Sequence, residues 1–265
     1  MLPSKEFFRS YAKKKGIPWQ ERNILVEYLQ TQILKVLSLS EYNDRLAFLG
    51  GTCLRFTYGI DRFSEDLDFD LVKKDGFDVD GLAVILGKRL ESQGFEVEVR
   101  TKTTDHIHVV SIRFKSVLRE FGLSVPKDEK ILVKFEIDFD PYRNIRTETR
   151  FADSFNERFP MLVNSIDTLF AQKVLAIVFR PYQKGRDFYD LVWFLSQRDI
   201  EPNYAIFKEK GIDIGNRPEL IAFLEEKAES SDLKQAAKDV ERFLFHPEQA
   251  QWILRLPEYL EGFRN

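Results

Sequence analysis

Two short stretches alternate so strictly between apolar and acidic residues that they leave little choice of local structure. In DLDFDLV (66–72), Asp66, Asp68 and Asp70 take every second position, with Leu67, Phe69 and Leu71 between and after them. In ILVKFEIDFD (131–140), Leu132, Lys134, Glu136, Asp138 and Asp140 alternate with Val133, Phe135, Ile137 and Phe139. Successive side chains of a β-strand point to opposite faces, so each stretch predicts a strand with one buried face and one acidic face. The acidic faces are either separate solvated surfaces or walls of one site. As neighbours they repel unless a cation lies between them. Mg²⁺ takes hard oxygen ligands, typically one or two carboxylates plus phosphate oxygens. In two-metal sites the ions lie about 4 Å apart, close enough for one carboxylate to bridge them.

The rest of the chain frames these strands. Residues 4–40 read as helical, with Leu25, Tyr28, Leu29, Ile33, Val36 and Leu37 on one stripe. Leu46–Leu49 is a short apolar run before Gly50-Gly51, residues 52–59 suit a short helix, and 79–93 reads as helical. Further strands are expected over 95–103 and 107–117. From about residue 165 the pattern is helical to the end, starting with 165–179 and 186–197. The expected fold is α+β, a mixed sheet with flanking helices over 1–160 and a helical domain over 161–265 that completes the active-site cleft.

Composition narrows the function. A net charge of −3 argues against a protein whose main task is to coat nucleic acid. A single cysteine, Cys53, allows no intrachain disulfide and suits the cytoplasm. No apolar run approaches the length of a membrane span. His106 and His108 share a strand face without a third ligand nearby, so zinc is not expected. Neither G-x-x-x-x-G-K-[ST] nor G-x-S-x-G occurs.

Other residues extend the acidic strands into a possible site. Gly50-Gly51 would let backbone N–H groups approach a phosphate, and Thr52 can add a hydroxyl or cap a helix. Arg62 and Ser64 can contact phosphate oxygens, or Arg62 can pair with a surface acid. Lys173 falls inside the apolar stripe of Ile166, Leu169, Phe170, Val174 and Ile177. A lysine there either snorkels or is held for a purpose, such as reaching a triphosphate. Asp187 and Asp190 either cap a helix start or fix Lys173 or Arg186.

The order GGT, RFSEDLDFD, KFEID, AQKVLAIVFR and KGRDFYDL, over residues 50–195, resembles the AbiEii/AbiGii-type (MenT-like) nucleotidyltransferases. These are toxin components of type IV abortive-infection and toxin–antitoxin systems, within the polymerase-β-like nucleotidyltransferase superfamily. The resemblance implies a polymerase-β-like core that moves a nucleoside monophosphate from an NTP to an acceptor hydroxyl. It implies two Mg²⁺ ions on Asp66, Asp68 and Glu136, with Asp138 as the rival third acid. Gly51, Thr52 and Ser64 would cradle the triphosphate, Lys173 would contact triphosphate or nucleotide, and Asp187 would be the later acid needed for activity. The implied acceptor is tRNA or another cellular target, with a cognate antitoxin as partner. A small-molecule acceptor and an inactive NTP-binding module are the alternatives.

Overall fold

The computed structural model describes residues 2–123, 126, 128–197 and 199–264. The stretch expected to be one helix over 4–40 is two. Helix α1 (Lys5–Lys15) ends at Gly16, whose φ of 67° lets the backbone turn so that the Ile17 amide reaches the Ala12 carbonyl. Pro18 follows, and α2 (Glu21–Ser38) begins three residues later. Next come β1 (Leu46–Leu49), the short α3 (Gly50–Cys53) and a π-helical turn (Leu54–Tyr58). Then follow β2 (Leu67–Leu71), α4 (Val79–Ser92), β3 (Val97–Thr103), β4 (Ile107–Phe114), α5 (Val117–Glu120) and β5 (Ile131–Asp138). Two strands absent from the sequence-based expectation close this half: β6 (Thr147–Ser154) and β7 (Glu157–Asn164). Among the described residues the rest is helical, with α6 (Ile166–Phe179), α7 (Gly185–Ser196), α8 (Tyr204–Glu209), α9 (Arg217–Glu229), α10 (Leu233–Val240), α11 (Gln251–Leu254) and α12 (Leu256–Arg264), and two 3-10 turns before α11.

The chain divides into two compact units. The first comprises Met1–Gly59, Phe63–Pro141 and Thr149–Val163; the second comprises Ile60–Arg62, Tyr142–Glu148 and Asn164–Asn265. The sheet runs β3-β4-β5-β2-β1-β7-β6. It is mixed: β2 pairs antiparallel with β1 and parallel with β5, and β1 pairs parallel with β7. The fold is therefore α+β, a mixed sheet with flanking helices.

One sheet face is apolar. Phe48, Phe69 and Phe135 stack in a row across β1, β2 and β5, with centroids 5.1 and 4.3 Å apart. Val110, Ile112, Val133 and Ile137 are fully buried on the same face, and α2 and α4 pack there. This row fixes the register, since a one-residue slip would turn every aromatic outward and every acid inward. The β6–β7 hairpin turns at Phe155 and Asn156, both with positive φ. A phenylalanine rarely adopts that conformation. Here its ring is buried against Tyr11 and Tyr28, at 4.3 and 5.3 Å, and that packing offsets the strain.

The second unit is mainly helical, with α6 packed on α7 and α7 in turn on α10 and α12. Among the described residues, no helix is long and apolar enough to cross a membrane.

Candidate active site

In the first unit, the ladder brings the two acidic strands side by side. Asp68 lies opposite Glu136, and Asp70 lies opposite Asp138. Adjacent strands run about 4.8 Å apart, so the Asp68 and Glu136 side chains rise from neighbouring positions on one face. Both are partly exposed, whereas Asp70 is buried. Asp66 sits just before β2 and is partly exposed. On the other side of Asp68, antiparallel β1 places Leu49 opposite it.

The Gly-Gly-Thr turn wraps the same spot. Gly50 has φ +76°, and a Cβ there would lie 2.4 Å from Asp68 Oδ2. Only glycine lets the backbone pass so close to that carboxylate. The Thr52 hydroxyl donates to the Asp66 carbonyl, tying α3 to the start of β2. The Ser64 carbonyl accepts from Gln30 Nε2 at 3.1 Å, which fixes the approach to β2 against α2. Nearby, α2 carries a buried Glu27 whose carboxylate receives a two-bond guanidinium contact from Arg55 at 3.1 and 3.2 Å. The segment carrying Gly50, Gly51, Thr52, Ser64, Asp66 and Asp68 is thus braced from three directions.

Replacement of Gly50 by alanine tests this brace. The left-handed φ costs about 1–2 kcal/mol for an L-residue, and the new methyl must displace the Asp68 carboxylate. A 1 Å misplacement near reacting groups can cost about 10²-fold in rate. The expected outcome for Gly50→Ala is about a hundredfold loss of transfer activity with a melting shift of only a few degrees, read by parallel activity and thermal-denaturation measurements.

The donors here are hard oxygens on half-exposed side chains, which suits Mg²⁺. Among the described residues, no three carboxylate, histidine or cysteine side chains are already gathered into a closed metal cluster. Mg²⁺ needs only one or two protein carboxylates, with water and phosphate completing its shell. Asp68 and Glu136 fit that requirement.

A second charged constellation lies inside the second unit. Arg62 is 1% exposed and gives Asp190 a two-bond contact, Nε–Oδ1 2.6 Å and Nη2–Oδ2 2.7 Å. Lys173 Nζ lies 2.8 Å from Asp190 and 2.9 Å from Asp187, and Arg180 also binds Asp187. Both acids of the α7 start therefore fix Lys173. Arg186, the other basic candidate for those acids, lies over the Phe243 ring at 4.4 Å. Burial alone would push Lys173 down, but Asp187 and Asp190 outweigh it and hold the ammonium above the ordinary lysine value. Burial would likewise raise Asp190, yet Arg62 and Lys173 hold it below the ordinary carboxylate range. The role of Asp190 as the hub is not evident in the sequence, where Asp187 and Asp190 read equally as acids near a helix start. His108 packs beside the Phe139 ring at 4.5 Å, and Cys53 is buried.

Comparison with known proteins adds the family. The sequence family described as "Nucleotidyl transferase AbiEii toxin, Type IV TA system" matches residues 32–256. Among solved structures, JHP933 from Helicobacter pylori aligns with TM-score 0.56 and 20% identity, over 92% of this chain and 92% of that one. A second H. pylori protein, assigned as a nucleotidyltransferase, aligns with TM-score 0.57 and 20% identity, over 92% of this chain and 95% of that one. At such identity the likeness is one of fold. No curated protein matches the sequence.

Proposed function

Because the chain belongs to the AbiEii family of nucleotidyltransferase toxins of type IV toxin–antitoxin systems, we propose that Asp66, Asp68 and Glu136 form its catalytic centre, moving an NMP group from an NTP to an acceptor hydroxyl. The observation that carries this reading is the pairing of Asp68 with Glu136 across β2 and β5, with Gly50 pressed against Asp68. Two carboxylates at adjacent ladder positions repel, and a divalent cation relieves that repulsion.

Asp66, Asp68 and Glu136 would hold Mg²⁺, with Glu136 as the third acid supplied by β5. Bound there, the ions would offset the negative charge of the phosphates and of the leaving pyrophosphate. One of the three acids would accept the proton of the attacking hydroxyl. The Gly50–Thr52 turn and Ser64 would orient the triphosphate for in-line attack, and positioning then supplies much of the rate. The family resemblance also gives Lys173 a contact with the triphosphate or nucleotide and makes Asp187 the later acid needed for activity. The acceptor in this reading is tRNA or another RNA, in the cytoplasm, and membership of a toxin–antitoxin family implies a cognate antitoxin.

A label-transfer assay tests the proposal. Each of the four NTPs, labelled at the α-phosphate, is incubated with the protein and total RNA, with Mg²⁺ or with EDTA. Label in RNA only with Mg²⁺ supports it. Label confined to a small molecule would move the acceptor to that class, and no transfer with any NTP would point to an inactive binding module.

A further inference from the structure

The open face of the sheet continues outward from Glu136 across two more strands, all within the first unit. Opposite Glu136 stands Val109 on β4, and opposite Val109 stands Lys102 on β3. Two residues back along β5, Lys134 faces Ser111, which faces Arg100. Two residues further, Leu132 faces Arg113, which faces Glu98. Paired residues share a face, so these positions form a platform of roughly 10 by 13 Å beside the acids. Its reverse side is the buried one, and this side meets solvent: Leu132 is 41% exposed, and the Arg100 and Lys134 side chains are 71% and 47% exposed.

The charge of this platform runs against that of the whole chain, which is −3. Arg100, Lys102, Arg113 and Lys134 lie on it, and Lys130 reaches it from the start of β5. Glu98 is its one carboxylate outside the acidic site. That carboxylate is shared between Lys130 at 2.9 Å and Arg100 at 2.5 Å. Arg113 Nη1 is buried yet has no hydrogen-bond partner among the described residues, so this donor awaits an acceptor. Lys134 lies 3.8 Å from Glu136 at the acid end, and a cationic surface with one unspent guanidinium nitrogen is suited to phosphate oxygens. No aromatic side chain stands on it to stack a base, so the match is to the backbone and not to the bases.

We propose that the β3–β4–β5 face, centred on Arg100, Lys102, Arg113 and Lys134, binds the phosphodiester backbone of an RNA acceptor and leads its reactive hydroxyl to the acids. This inference rests on the nucleotidyl-transfer reading for its direction, since an acceptor must lie next to Glu136. The surface itself rests on register and charge alone.

The probe is fluorescein-labelled bulk tRNA, and the readout is fluorescence anisotropy without NTP over a series of salt concentrations. The variant Arg100→Glu/Lys102→Glu changes two exposed side chains, and thermal denaturation checks its fold. Its RNA affinity is expected to fall by about tenfold or more. The slope of log Kd against log salt should shrink by about one to two, because each lost phosphate contact contributes roughly 0.7–0.9 to it. Wild-type affinity and slope in the folded variant would overturn the proposal. Asp68→Ala separates the two readings. It should keep RNA binding while losing transfer. RNA binding lost in the double variant, together with full transfer by Asp68→Ala, would uphold the surface and sink the catalytic assignment.

Discussion

Replacing Asp68 by asparagine is expected to lower nucleotidyl transfer by about 10³-fold or more while leaving the fold intact. The size follows from the role. A carboxylate that helps hold a divalent cation underlies several kcal/mol of transition-state charge stabilisation, and about 4 kcal/mol is a thousandfold in rate. The fold is spared because Asp68 is only partly buried and the substitution keeps its shape. Glu136→Gln should behave alike, since Glu136 is its neighbour across the ladder. Asp140 is the internal control. It belongs to the same acidic alternation but lies beyond the end of β5, exposed and paired with Lys74 at 3.5 Å. Asp140→Asn should retain near-normal activity. Single-turnover label transfer, with circular dichroism to check the fold, distinguishes these outcomes. Equal losses in all three variants would mean that bulk negative charge, not a positioned pair, is what matters.

The largest effect on stability is expected at Asp190. This residue is fully buried and answers two buried cations, Arg62 and Lys173. Removing one partner of a buried pair leaves uncompensated charge and typically costs 3–5 kcal/mol. Asp190→Asn should therefore destabilise the chain by about that amount, measured by chemical denaturation at neutral pH. The pH dependence carries a sign. Asp190 is held below its ordinary value in the fold, so its contribution is complete above about pH 4 and fades as pH falls through the lowered value. Lys173 is held above its ordinary value, so its contribution is complete below about pH 10 and fades as pH rises through the raised one. The gap between wild type and Asp190→Asn should thus stay level across neutral pH and narrow in acid. A gap that widens in acid would mean that Asp190 is not the charged hub of this cluster.

Much of the candidate site was legible from residue order because a period of two is hard to mistake. The alternations around Phe69 and Phe135 assign acids and aromatics to opposite faces, and the sheet keeps that assignment. The pairing of Asp68 with Glu136 was not legible. It joins strands more than sixty residues apart in parallel, through a crossover that includes α4, β3 and β4. Nothing local encodes such a register. Lys173 stands out as a charge in an apolar stripe, and its partners Asp187 and Asp190 both come from α7; Arg62, read from the sequence as a phosphate contact or a surface ion pair, is instead buried against Asp190. The β6–β7 hairpin escaped notice for three local reasons. TETRFADS is polar and lies at a sheet edge, Pro160 interrupts β7, and the turn uses Phe-Asn in place of a glycine signal. The break in the first helical stretch was readable, since Gly16 and Pro18 are a helix stop.

In the proposed site, Asp68 and Glu136 together would hold the divalent cation that the nucleotide requires. Calorimetric titration of Mg²⁺–NTP into the wild-type chain and into Glu136→Gln tests it most directly, with EDTA as the metal-free arm. The wild type is expected to bind only with Mg²⁺, and Glu136→Gln to weaken that binding at least tenfold. Equal affinity in the variant, or NTP binding that persists unchanged in EDTA, would contradict it.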